Sequence, residues 1–198
     1  MTARRWLWRV ALLGVVTALG ALLVSGTWQL VAGGVTGSPP GGAPPCPLGR
    51  DVPIMDSPHV SQHAITGVQY TSTPPTSGPH FSFTVATGAY SSPVPDGLTV
   101  HALEHGHVAI LYRPDAPEGV RRTLGAIARR HSTDVVLAPY PGLRPTVALA
   151  AWGCLDELDA TAATAAADTT DATAALDAGR VTAFVEALAD RYHHGWRG

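Results

Sequence analysis

The stretch that most limits what this chain can fold into runs from Leu98 to Arg113, LTVHALEHGHVAILYR. Its first half crowds His101, Glu104, His105 and His107 into seven residues, and its second half, Val108 to Tyr112, is an unbroken apolar run. A short run rich in Val, Ile and Leu, bounded by Gly106 and Pro114, predicts a buried core strand. The polar half is then fixed at the mouth of a rigid element, where side chains that bind metal or move protons are best held.

If Val100 to His105 makes a helical turn, His101 and His105 lie four apart on one face, close enough for one ion. Gly106 suits the stop of that turn because it tolerates the left-handed conformation, and His107, beyond the stop, is expected to point elsewhere. Two histidines leave an ion short of ligands, and His80 and His59 from the preceding loops are the expected donors. Glu104 is expected to orient a histidine. Imidazole donors suit a transition metal, Cu or Zn, and no nucleotide cofactor is expected. A metal-free alternative has His101 with Glu104 or Asp96 in a hydrogen-bonded network that anchors loops. HALEH also fits the H-x-x-E-H pattern of inverted zinc peptidases, in which the Glu is a general base. That motif needs a long helix, which Gly106 cuts short, and Glu186 reads as an exposed position of the last helix rather than a third ligand. A metal-dependent hydrolase is therefore the least favoured reading.

The loop TPPTSGPHF, Thr73 to Phe81, carries three prolines and a glycine. Backbone this stiff can hold His80 in one place; the alternative is a surface crossing with a solvated His80. Upstream, Val68 to Thr71 is the one clear strand candidate.

At the amino terminus, Arg4, Arg5 and Arg9 precede an uncharged apolar run from Val10 to Val24 that continues with little polarity to Ala32. Such a run is long enough to cross a bilayer, and the arginines place the amino terminus in the cytoplasm. The expected organisation is a cytoplasmic tail over 1–9, a transmembrane anchor over 10–32, a Pro/Gly-rich linker over 33–50 and an exported domain over 51–198. The protein is then a single-pass protein of the cell membrane with an extracytoplasmic domain; a cleaved signal peptide is the competing reading. All 13 basic residues are Arg, and the formal net charge is -2. No basic cluster beyond the first nine residues could serve nucleic acid, which is excluded as a partner. Cys46 and Cys154 are the only cysteines and would both face an oxidising compartment. They are expected either to bond to each other, or to remain a mobile Cys46 and a buried, inert Cys154.

The carboxy-terminal half is more periodic. It predicts a strand over His107 to Tyr112, a helix from Glu118 to His131 with Val120, Leu124 and Ile127 inward, and strands at Asp134 to Ala138 and Thr146 to Trp152. The turn PYPGLRP suggests that the last two form a hairpin. A low-complexity Ala/Thr/Asp segment over 161–173 follows, then a helix over Asp177 to Tyr192. This order implies an α+β domain, a small mixed sheet with helices packed on it. A thioredoxin-like fold is the alternative, although no Cys-x-x-Cys is present.

Five pieces together resemble a known family: HV at His59 and Val60, YTSTPPTSGPHF at Tyr70 to Phe81, GAY at Gly88 to Tyr90, VHALEHGHVAILYRP at Val100 to Pro114, and AW at Ala151 and Trp152. The chain is identified by them as similar to the bacterial domain-of-unknown-function family number 3105, over about Pro53 to Leu158. The resemblance implies one amino-terminal membrane segment and an exported domain, and no particular activity. It marks His59, Pro75, Ser77, Gly78, His80, His101, Glu104, His105 and Gly106, and leaves His63, His131, His193 and His194 outside its motifs.

Overall fold

The fold is described from a computed structural model, over residues 45–160 and 176–191. The expected anchor over 10–32, the low-complexity segment over 161–173, and His193 and His194 lie outside the described residues. Among the described residues no helix is long and apolar enough to cross a membrane.

Three strands form the core: β3 (Val108–Tyr112), β4 (Val135–Pro139) and β5 (Val147–Ala151). Apart from half-buried Tyr112 all their residues are buried, as expected of apolar runs without alternation. Three further strands complete a six-stranded mixed sheet: β1 (Arg50–Asp51), β2 (Gly88–Ala89) and β6 (Cys154–Leu158), in the order β1-β6-β5-β3-β4-β2. β2, β4 and β3 run parallel, while β5, β6 and β1 are antiparallel to their neighbours. The helices are α1 (Gln62–Ile65), α2 (Asp96–Glu104), α3 (Glu118–Arg130) and α4 (Ala178–Leu188). α3 and α4 pack on each other, α3 on β4, α4 on β5, and α2 on β3. Val120, Leu124 and Ile127 of α3 are buried, as its periodicity predicts, and so are Val181, Phe184, Val185 and Leu188 of α4.

The predicted hairpin between β4 and β5 does not form, because β3 lies between them, parallel to β4 and antiparallel to β5. The turn that suggested it instead passes across the end of β3, where Tyr140 N–H donates to Tyr112 O at 2.8 Å and Arg113 N–H to Thr146 O at 3.0 Å. β5 makes its hairpin with β6 through Trp152 and Gly153, which has φ 71°. β6 escapes a hydropathy reading because CLDEL carries two acids. One of them, Asp156, is only 4% exposed, and α4 supplies its counter-charge: Arg180 donates from Nε to Oδ2 at 2.7 Å and from Nη2 to Oδ1 at 2.6 Å. This bidentate pairing raises the Arg180 pKa and ties α4 to the sheet. Val68 to Thr71 is not a strand.

The end of the Pro/Gly-rich stretch belongs to this sheet. Arg50 and Asp51 pair with Leu155 and Cys154, and Gly49, at φ 86°, sits where a Cβ would lie 2.5 Å from Leu155 O. Cys46 is bonded to Cys154 across 108 positions, with Cα atoms 5.6 Å apart. Closing a loop of this size stabilises the fold by about 4 to 5 kcal/mol in the chain-entropy account. Denatured, unreduced protein should therefore show no titratable thiol, and reduction should lower the denaturation midpoint by a corresponding amount. Two titratable thiols, or a midpoint indifferent to reduction, would contradict the bond.

Candidate metal centre

α2 follows Pro95, its N-cap at φ -56° and ψ 139°, and ends where Gly106 takes φ 89°. A side chain at Gly106 would meet the Asp190 backbone at 3.1 Å, and Asp190 N–H donates to Gly106 O at 2.9 Å, so the stop is fixed by the end of α4. The helix runs nine residues, from Asp96 to Glu104, with His105 as its cap. His101, Glu104 and His105, spaced by three and four, share one side.

The loops before α2 are built onto it. Ser72, Pro74 to Gly78 and His80 are buried, so the Pro-rich stretch is interior and not a surface crossing. Met55 N–H donates to Ser77 Oγ at 3.1 Å, Tyr70 Oη–H to Pro79 O at 2.8 Å, and Gly153 N–H to Thr76 O at 3.2 Å. Gly78, at φ 119°, lies so close to the Tyr70 ring and Met55 Sδ that a Cβ would stand 3.1 to 3.2 Å from both. His59 and His80 form a parallel bridge, with Val60 N–H donating to His80 O at 2.7 Å and His80 N–H to Pro58 O at 3.2 Å. Phe81 N–H then donates to Gly97 O at 3.1 Å, and the Phe81 ring would be 3.0 Å from any Cβ at Gly97.

These contacts bring potential ligand atoms of His59, His80, His101 and Glu104 within 4.8 Å of one another. His80 is fully buried, His101 is 7% exposed and Glu104 9%, whereas His59 is exposed. The His59 and His101 rings lie parallel at 5.3 Å, with His80 edge-on 5.0 Å from each. His80 Nδ1 is 2.8 Å from Gly78 O and His101 Nδ1 is 2.6 Å from Phe81 O. A carbonyl oxygen only accepts, so both rings carry Nδ1–H and, when neutral, keep Nε2 as the atom that can bind an ion. This arrangement, with one nitrogen tied to a carbonyl, is the one metal-binding histidines usually adopt.

His80 Nε2 is 3.0 Å from Glu104 Oε2, yet this buried nitrogen makes no hydrogen bond. Two atoms close together but not aimed at each other are what two ligands of a common ion present, because each lone pair points at the ion. Around an ion bound at about 2.0 to 2.1 Å, tetrahedral donors stand roughly 3.4 Å apart, so modest side-chain rotation closes the group. Three imidazoles and a carboxylate form a donor set suited to Zn or Cu(II).

The expected residues are thus placed as follows. His80, His101 and His59 converge, and Glu104, expected to orient a histidine, itself offers an oxygen to the cluster. His105 is exposed, its Nε2 2.8 Å from His101 Nε2 with the rings stacked at 4.7 Å. His107 lies outside the group of four, with a buried Nδ1 that has no hydrogen-bond partner among the described residues. His63 is on α1, His131 caps α3, and Glu186 is exposed on α4. The carbonyls of Gly78 and Phe81 were not foreseeable as orienting groups, although both belong to the SGPHF motif that carries His80.

Asp96 opens α2 and does not join His101. Its Oδ2 accepts from Tyr140 Oη–H at 3.3 Å. Burial raises the Asp96 pKa above 3.8, with the Tyr140 hydrogen bond opposing it in part. Tyr140 is pushed far above its ordinary value by burial and by Asp96, and Tyr70 is pushed up to about 12 by the same causes. A carboxyl that holds its proton more tightly folded than unfolded costs no stability below the unfolded pKa and costs progressively more as pH rises through the folded one. Denaturation across this range should show the native protein losing stability relative to Asp96→Asn as pH rises above about 3.8. A difference that stays constant with pH would contradict the burial of this carboxyl.

A family model described as "Protein of unknown function (DUF3105)" matches residues 59–194. No curated protein matches the chain, and neither does any solved structure. The match takes in every residue of the histidine and carboxylate cluster and most of the sheet, and the chain belongs to the DUF3105 family.

Proposed function

We propose that this is a membrane-anchored extracytoplasmic protein that holds one transition-metal ion, Zn or Cu(II), through His59, His80, His101 and Glu104. The observation that carries the reading is the buried Nε2 of His80, which makes no aligned hydrogen bond among the described residues and lies with Glu104 Oε2, 3.0 Å away, in a group with two further imidazoles. An ion between His80 Nε2 and Glu104 Oε2 would satisfy both atoms. Loop anchoring alone explains the two Nδ1–H bonds to carbonyls but not the convergence of the other nitrogens. A hydrolase finds less support, since Glu104, the general base of the H-x-x-E-H pattern, belongs to the ligand set here.

Titration of the domain with Zn²⁺ should show one ion per chain. Alanine at His80 or His101 should weaken binding by at least 100-fold, and because bound imidazoles must be neutral, acidification should release the ion. Absence of binding by the native protein, or binding indifferent to both substitutions, would overturn the reading.

Anchoring rests on the apolar run after Arg4, Arg5 and Arg9. Protease added to intact spheroplasts should digest the domain from about residue 41 onward; full protection would reject this orientation. For the fold, the order β4-β3-β5-β6 followed by α4 supports a thioredoxin-like arrangement over 108–188. Redox chemistry does not follow from it, because both cysteines are joined far from the start of α3 in sequence. An experimental structure with β4 beside β5 would refute that arrangement.

A further inference from the structure

His105 is the imidazole of the HALEH motif that stands outside the group of four, and its position relative to His101 has a definite chemical meaning. His101 Nδ1–H is committed to Phe81 O at 2.6 Å, so on a neutral ring only Nε2 can bind an ion. That nitrogen is 2.8 Å from His105 Nε2, in hydrogen-bonding alignment. One hydrogen bond between two nitrogens needs one proton, and His101 Nε2 has none to give, so His105 Nε2–H is the donor. The lone pair that His101 would offer to a metal is therefore occupied by His105. The contrast with His80 is direct: its Nε2 lies as close to a neighbour, at 3.0 Å from Glu104, but without the alignment of a hydrogen bond.

We infer that His105 is a displaceable cap on the metal centre, which holds the His101 lone pair while the site is empty and withdraws when an ion enters. This rests on the metal-binding reading above and adds how the site is regulated. The geometry allows the withdrawal. His105 is exposed and lies at the helix end, before Gly106, while His101 is buried and tied to Phe81, so of the two rings His105 is the one placed to swing toward solvent. Rings stacked at 4.7 Å with an interplanar angle of 17° keep the cap in register over His101 until then. An ion competes with His105 for a single nitrogen, so the cap lowers affinity and slows entry. A site that gives up its ion to a stronger acceptor benefits from such a competitor, which refills the vacated lone pair.

The prediction has a sign opposite to that for a ligand. His105→Ala and His105→Asn should each bind Zn²⁺ more tightly than the native protein, by about 2- to 10-fold, the equivalent of one net hydrogen bond. Stoichiometry should remain one ion per chain, and stopped-flow uptake of Zn²⁺ should be faster. Affinities are read by competition with a chromophoric chelator on the domain with its disulfide intact, with His80→Ala as the control. Unchanged affinity in both His105 variants, or a loss comparable to that of His80→Ala, would overturn the cap, the second result making His105 a ligand. Failure of the native protein itself to take up Zn²⁺ would overturn the metal reading and the cap with it.

Discussion

Two hydrogen bonds from imidazole N–H groups to backbone carbonyls, His80 to Gly78 and His101 to Phe81, determine what the centre of this protein can do. Each fixes a ring in one orientation and one tautomer, and together they leave two Nε2 atoms within 4.8 Å of ligand atoms of Glu104 and His59. Neither bond would hold its ring without the surrounding backbone. Gly78 takes a conformation open to glycine, Gly97 lets Phe81 approach, and Gly106 ends α2 against the last helix. The conformational freedom of glycine, which elsewhere costs order, serves here to bring loop and helix into contact closer than a Cβ permits.

Beneath this site the sheet supplies rigidity. β3 is flanked by β4 and β5 along most of its length, and it starts four residues after Glu104, so the last turn of α2 is fastened to the most enclosed strand of the domain. β6 is held at the other side by the Asp156–Arg180 pair and by the bond from Cys46. The amino-terminal loops are joined to the same edge, since Val52 N–H donates to Gly153 O and Gly153 N–H to Thr76 O. Displacement at that edge would thus be felt by the segment that carries His80.

Much of this was legible in the sequence where chemistry and pattern agreed. The apolar run at Val108 announced its strand, Gly106 its helix stop, and the prolines before His80 a fixed loop. Family membership was legible from the same motifs. Pairing was less so: a turn of seven residues between β4 and β5 says nothing about whether a third strand lies between them, as β3 does. β6 was hidden because its buried Asp156 is paired with Arg180, 24 residues away on α4, a partner that no local pattern reveals. The position of Glu104 was only half legible, since the spacing H-x-x-E-H places it beside His101 but not 3.0 Å from His80. The hydrogen bonds that orient the histidines end on backbone oxygens, which no side-chain pattern reveals.

The ligand set is the central claim, and X-ray absorption at the zinc edge of the loaded domain tests it most directly. The account predicts a first shell of nitrogen and oxygen at about 2.0 to 2.1 Å, with the outer-shell scattering of three imidazoles, one of which disappears in His80→Ala. A shell of water oxygens with one imidazole or none, or a spectrum unchanged by that substitution, would contradict it.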